Sequence, residues 1–532
     1  MIEKSLIFGS MLAVVKKIDT SYEHSILKKV LDFIYGFFAM LNTAYQNSFF
    51  SRMADFAVNL LRESSLIGFM IGRGRLSRWW EESFLCRFMT LCIETLTKPL
   101  RSFYQKFESV FLSSKAIGLV KILFSRLEFI AGMLLIIILI VPHGRWNNVY
   151  NIFIALLLCS AIFINSVIQR HWVFNFKALD FTLILFLVAM TMSCVTSLNR
   201  TSGIKYLMFY IAGFLMVLGI ISTVKNEKSL QTIIKMLLWG GTIIGMYGIW
   251  QALSGTVGFD PSLTDPELNF GMPGRVYATM ANPNNYGEVL IMLLPFYVGT
   301  ILNSKTFAQK TLYIIMSLPP LLALFNTGSR SSWIGFAVSV FVLTFLLNKR
   351  LLPFILVGAV MIIPFLPQHV YNRLVTILEP GRDSSAQTRV NILKTVWPMF
   401  KTYMFHGVGL GTDVFRQTVQ NYHQYTKATP PHTHVLYLQI WIETGVAGVL
   451  TFIWYIYRTF RDSIVSIYNS SHTLKNILAA GVASLAGILT TSVAEYTWYY
   501  PRVMFIFWVV LGIITAAIAL TDAKNRKLSE IR

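Results

Sequence analysis

Charge is what this sequence has least of. Only 13% of its 532 residues are Asp, Glu, Lys or Arg, while 55% are hydrophobic, and mean hydropathy is +0.57. No soluble fold of this length hides so much apolar surface, so lipid is the solvent for most of the chain. Cysteine is scarce as well. Cys86, Cys92, Cys159 and Cys194 form no pair at zinc-ligand or redox spacing, two of them fall in apolar runs, and all read as small buried apolar side chains. Nothing calls for a metal or another cofactor. The first apolar stretch, "SLIFGSMLAVV", is short and followed by basic amphipathic sequence, so it is not read as a cleavable signal. Short alternating segments of a transmembrane barrel are missing, as are internal repeats of the kind that mark many transporters.

What is present is a series of apolar runs, each of roughly 17–22 residues, recurring from about residue 127 to the end. They predict an all-α, polytopic helical membrane protein of about 12 transmembrane helices. The spans are expected near 127–142, 148–168, 179–198, 203–223, 232–252, 286–302, 309–326, 331–347, 351–366, 435–457, 475–493 and 501–521. The net charge of +21 points to basic loops meeting anionic lipid, and nucleic acid is not an expected partner. With the N-terminus inside, every inner turn is basic: Arg170 and Lys177, Lys225 and Lys228, Lys305 and Lys310, Lys349 and Arg350, then Arg458, Arg461 and Lys475. The tail adds Lys524, Arg526 and Lys527, so both termini are expected in the cytoplasm.

Three regions follow. Residues 1–125 are basic and amphipathic, with "GRGRLSRWW" among patches too short to span. They suit helices lying in the membrane interface, with Trp79 and Trp80 as anchors, or a platform for a partner. Residues 126–525 form the transmembrane domain, and 526–532 a cytoplasmic tail. Two long polar segments, about 253–285 and 367–434, fall outside, the second with helix of its own around "AQTRVNILKTVWPMF". Long loops in a membrane protein usually carry function.

Four features meet on that outer side. Arg275 ends the first long loop in "GRVYATMANPNNYGEVLIMLLPF", and Asn284 precedes the next span. Arg330 sits in the short turn of "FNTGSRSSWIGF", Arg389 in the second long loop, and His432 and His434 just above the span that begins near Val435. Charged groups at a lipid boundary are costly unless paired or solvated. Arginine offers a planar fork of donors to phosphate oxygens, and histidine can take a proton from an attacking hydroxyl. Such parts suit a transfer reaction with a diphosphate leaving group. A single outer arginine also serves as a headgroup anchor or loop salt bridge, and His423 reads as merely solvated. Glu443, within an apolar helix below His434, needs a partner and reads equally as structural or accessory. The spans otherwise read as largely clean, which speaks against a lipid-linked sugar transporter or flippase.

Taken in order, "GRVYATMANPNNYGEVLIMLLP", "TGSRSSWIG", "TRVNILKTVWPMF" followed by "HGVGLGTDVF", and "PHTHVLYLQIWIETGVAG" resemble the O-antigen ligase family over about residues 130–520. The late "EYTWYYPRVMFIFWVVLG" is similar to members from Gram-positive bacteria. The resemblance implies a GT-C-like, metal-independent, inverting glycosyltransferase in the bacterial cytoplasmic membrane, without a cofactor. Its donor would be a glycan on undecaprenyl diphosphate, and its acceptor a glycan, lipid or protein hydroxyl at the outer face. Arg275 and Arg330 match the family's diphosphate-binding arginines, Arg389 a loop arginine near the site, and His434 the general base. His432 could share that role. Where the family commonly reads His-Asn, this chain has His434-Val435, which removes an amide able to position the acceptor. A polysaccharide polymerase, extending the glycan on its lipid, shares the same donor chemistry.

Overall fold

The computed structural model describes residues 76–113, 124–169, 174–257, 274–280, 282–366, 368–378, 384–426 and 428–531, together with residues 118 and 121 and scattered positions between 25 and 59. The expectations for most of residues 1–75, for Arg170 and for the middle of the loop 253–285 lie outside the described residues. Among the described residues all regular structure is helical. In chain order the helices are α1 Leu76–Glu82, α2 Phe84–Lys106, α3 Glu108–Ser113, α4 Leu127–Ile140, α5 Tyr150–Gln169 and α6 Phe181–Val195. Next come α7 Arg200–Thr223, α8 Glu227–Ser254, α9 Pro283–Asn303, α10 Phe307–Asn326, α11 Arg330–Asn348 and α12 Leu352–Ile362. The last six are α13 Gln368–Leu378, α14 Ser384–Tyr403, α15 Thr412–Val419, α16 Leu436–Asn469, α17 His472–Thr491 and α18 Pro501–Ile531.

Among the described residues nine helical runs are long and apolar enough to cross a membrane, and α4 and α6 are shorter apolar helices. One of the nine, Arg330–Ile362, is two segments. Its backbone leaves helical geometry at Asn348 (φ −158°, ψ 87°), and the Arg373 Nε–H then reaches the Gly328 carbonyl at 3.1 Å. A straight helix of 33 residues would carry Ile362 roughly 50 Å from Arg330, farther than the following 11 residues could return at about 3.5 Å each. So α12 does not continue α11 in a straight line. A helix lies at each of the twelve expected positions, but among the described residues nine runs are long enough to span, where about 12 were expected. Three are shorter than expected: α4, α6 and α12 have 14, 15 and 11 residues. Local chemistry sets their ends. Pro142 follows α4, the Asp180 side chain caps α6 by accepting from the Thr182 N–H (2.8 Å), and Pro364 lies in the tight turn after α12.

Helices α9, α17 and α18 form the buried centre, and α10 to α12 the periphery. Close crossings rest on small residues, as expected where lipid is no less apolar than leucine. A methyl group on Gly335 of α11 would stand 2.6 Å from the Gly487 carbonyl of α17. Buried hydroxyls join the same helices: Ser339 donates to Ala483 O (2.8 Å) and Ser484 to Met292 O (2.6 Å).

The N-terminal helices dock on the bundle. Trp80 of α1 is buried and donates its indole N–H to the Phe176 carbonyl at 2.9 Å, while Glu81 pairs with Arg526 at 2.5 Å. This corrects one expectation. Trp79 is exposed as an interfacial anchor would be, but Trp80 is a latch into protein. Cys92 is exposed, not buried, because it faces away from the bundle on α2; Cys86 and Cys194 are buried and Cys159 half-buried.

Candidate functional site

Five chain segments meet at one end of the bundle: the loop that leads into α9 from residue 274, the turn between α10 and α11, the first turns of α14, the start of α16, and the loop 492–500 between α17 and α18. The first is pinned by bonds between side chains and backbone. Gln251 Oε1 accepts from the Tyr277 and Ala278 N–H groups (3.2 and 2.7 Å), Thr279 donates to Leu139 O (2.6 Å), and Arg502 donates to Thr279 O (2.5 Å) from above the Trp146 ring. Asn282 then caps α9 by accepting from the Asn285 N–H at 3.0 Å, with Pro283 in the first turn, where its missing donor costs nothing.

On this frame the polar side chains converge on Glu495. Arg275, 8% exposed, donates Nε–H to the Thr327 carbonyl and an Nη2–H to Asn284 Oδ1, both at 2.7 Å. Asn284 Nδ2 donates onward to Glu495 Oε1 at 3.1 Å, and Arg389 donates to the same oxygen. His434 Nδ1 faces Glu495 Oε2 at 3.4 Å. Burial pushes the Glu495 carboxyl up, but His434 and Arg389 outweigh it and hold the group below the usual carboxylate range. An ionised carboxylate only accepts, so in this contact the hydrogen is the one on His434 Nδ1.

Burial, with Arg330 and Arg389 adding to it, lowers the Arg275 guanidinium to about 10 against the opposing pull of Glu495. Three positive groups thus act on one another around one carboxylate. Arg330 stands in the first turn of α11, half-buried, directly after the Gly328-Ser329 turn. His434 takes a left-handed backbone (φ 58°), held by its own N–H donating to His432 Nδ1 at 3.1 Å. The His432 imidazole is driven down to about 2 by burial, His434 and Arg389. It is neutral, and its ring lies 4.2 Å from that of His434 and 4.5 Å from that of Tyr499.

The predicted residues Arg275, Asn284, Arg330, Arg389, His432 and His434 are therefore gathered in one place. Glu443 is not. It accepts from Gln439 Nε2 at 2.8 Å, and Gln439 in turn accepts from the Thr433 N–H at 2.9 Å. Its own carbonyl accepts from the Ser193 hydroxyl (2.7 Å) and the Gly409 N–H (3.0 Å). These bonds hold the joint where α16 breaks at Gly445 (φ 67°, ψ −169°). His423 is exposed, as expected.

Sequence reasoning missed three residues. Glu495, the hub, stands at the head of the quoted stretch "EYTWYYPRVMFIFWVVLG"; an acidic residue in a turn expected on the same side as three arginines was the available signal. Arg373 is a further buried arginine, on α13. Glu288, within α9 one turn below Asn284, is buried, and among the described residues its Oε2 has no hydrogen-bond partner. The spans are thus not clean apart from Glu443. A polar cavity elsewhere, of about 320 Å³, includes Lys177, Asp180, Arg458, Asp462, Asp522 and Arg526 in its lining. It lies roughly 30 Å away along α18, and its buried Arg458 is matched by Asp180 and Asp462 at 2.8 and 4.0 Å. That leaves less surplus charge for an anion than the Glu495 cluster does.

Comparisons with known proteins point the same way. The family model described as O-antigen ligase (Wzy_C) matches residues 314–453, a stretch that holds Arg330, Arg389, His432 and His434 and leaves Arg275, Asn284 and Glu495 outside. The chain is also similar to teichuronic acid biosynthesis protein TuaE of Bacillus subtilis (strain 168), with 22% identity over 351 residues, covering 62% of this chain and 69% of that protein. The likeness to O-antigen ligases read from the motifs is found again by the family model, and the second match is to a polysaccharide biosynthesis protein, on a multi-pass helical membrane protein. An O-antigen ligase or polymerase-like protein is the class they support.

Proposed function

We propose that this protein transfers a glycan from undecaprenyl diphosphate to an acceptor hydroxyl at the outer face of the bacterial cytoplasmic membrane. The observation that carries the reading is the convergence of Arg275, Arg389 and His434 on Glu495, with Arg330 adjoining. The acceptor hydroxyl attacks the anomeric carbon, its oxygen forming the new glycosidic bond with inversion. The bond from that carbon to the diphosphate oxygen breaks, and the electron pair leaves with the lipid diphosphate. The hydroxyl proton passes to His434 Nε2, and Glu495 balances the imidazolium that results. Arg275, Arg330 and Arg389 face the charge developing on the leaving group. They bring the positive charge a cation would otherwise supply, so the step is written without a metal. The basic turns support a cytoplasmic placement of both termini and an outward placement of this end.

The test uses purified protein in nanodiscs, a radiolabelled glycan on undecaprenyl diphosphate, and chelator. Wild type releases undecaprenyl diphosphate; His434→Ala and Arg275→Ala do not, although both insert in the membrane. Label on a new acceptor identifies a ligase, and a ladder on the same lipid identifies a polymerase. Equal release by wild type and His434→Ala would remove the histidine from the mechanism.

A further inference from the structure

Helix α2 lies outside residues 130–520, over which the motifs resemble the O-antigen ligase family, and its geometry is unlike that of a span. It has 23 residues, about 35 Å of helix. Near its start, Cys86 lies within electrostatic reach of Lys177, in the tight turn Phe176–Ala178 between α5 and α6. Fifteen residues later, roughly 22 Å along, Arg101 donates to the Ser166 carbonyl and hydroxyl at 3.2 and 2.6 Å. Ser166 is within a turn of the end of α5 at Gln169. A helix running beside α5 would change depth by its full advance between these two contacts. This one stays at the end of α5, so α2 lies across the ends of the spans.

At 100° per residue its side chains fall into three sectors. One, with Cys86, Thr97 and Tyr104, is buried against the protein. A second holds Leu85, Phe88, Leu96, Leu100 and Phe103, all exposed, and Cys92, also exposed. The third is polar and exposed: Arg87, Glu94, Lys98 and Gln105. A helix in water needs two faces, and a span needs no charged one. Three faces fit a helix wedged among protein, hydrocarbon and water.

We infer that α2 is an anionic-lipid-binding helix. Its Leu85–Phe103 sector sits among acyl chains at the bundle end opposite the Glu495 cluster, and Arg87 and Lys98 meet phospholipid headgroups. The charge decides the occupant. With Arg101 and Lys106, the helix carries four basic residues against Glu94, which matches a negative surface. The Trp80 latch fixes its near end to the α5–α6 turn and the Glu81–Arg526 pair fixes it to α18, so it binds as a docked part of the bundle. This assignment is independent of the proposed transfer reaction.

The native Cys92 provides the probe. The full-length protein, with its other cysteines replaced by alanine, is spin-labelled at Cys92 in nanodiscs of phosphatidylcholine with or without phosphatidylglycerol. A parallel protein carries Arg87→Cys in place of Cys92. Collision with oxygen should dominate at position 92, and collision with a water-soluble nickel chelate at position 87. Arg87→Glu with Lys98→Glu should reduce the preference for phosphatidylglycerol over phosphatidylcholine roughly tenfold or more. Labels at 92 shielded from both reagents would show that protein, such as a second copy, covers this face. Nickel access at 92 would show that it faces water. Either result, or an unchanged lipid preference in the charge-reversed protein, overturns the inference.

Discussion

Replacing Glu495 by glutamine tests the hub directly. The variant keeps the shape and an acceptor for Asn284, but it removes the negative charge that Arg389 and His434 face. Neutralising one partner of a buried ion pair costs about 3–5 kcal/mol. Glu495 is 8% exposed at its side chain but Arg389 is 26% exposed, so water recovers part of that loss and about 2–3 kcal/mol is expected. In a chain this long that is a fall of a few degrees in apparent melting temperature. If the same interaction orients Arg389 and His434 for transfer, turnover drops on the order of 10²-fold.

The pH dependence follows from the sign of the shift. The folded carboxyl titrates below its unfolded value, so its stabilisation is fully present above roughly pH 4.3 and is lost as pH falls through the depressed folded value. Wild type and variant should differ most at neutral pH and converge below about pH 4. Thermal unfolding in detergent, at several pH values and one scan rate, measures this. A variant that melts with wild type at pH 7, or a gap that widens in acid, would refute the reasoning.

Further expectations concern other parts of the molecule. Gly445→Ala places a methyl group 2.2 Å from the Phe405 carbonyl at a backbone angle reserved for glycine; a loss of about 3 kcal/mol or more is expected, and an unchanged melting temperature would contradict it. His432→Ala should slow transfer about tenfold by leaving the His434 N–H without its acceptor, while His432→Asn, which restores one, should recover most of the rate. Because His432 is held neutral down to about pH 2, it favours the folded state fully above its unfolded pKa of roughly 6.5, and that contribution falls as pH drops below it. The His432→Asn protein should therefore lose less stability than wild type between pH 7 and 5. Trp80→Ala, which empties a buried indole site at a local cost of about 3–5 kcal/mol, should open the bonds after Arg87 and Arg101 to trypsin and spare the bundle; an unchanged digest would show that α1 is not the latch.

The architecture was legible because it is written in one-dimensional quantities. Apolar length and the repeated placement of Lys and Arg set the number of segments, and the lipid environment demands helices whatever the tertiary detail. Residue chemistry also nominated Arg275, Arg330, Arg389 and His434, because arginine and histidine are costly at a membrane boundary without a task. Only the tertiary structure decided what these residues share. Glu495 comes 106 residues after Arg389 and 61 after His434, separations at which sequence spacing carries no geometric information. The same holds for Trp80, which by composition suits an interface and in space donates to a carbonyl 96 residues away. Glu443 shows the converse: its type suggested a site, and its neighbours Gln439, Ser193 and Gly409 make it part of a joint. Pattern sets which solvent each segment needs, whereas partner choice depends on where the folded chain returns, and that is decided by packing.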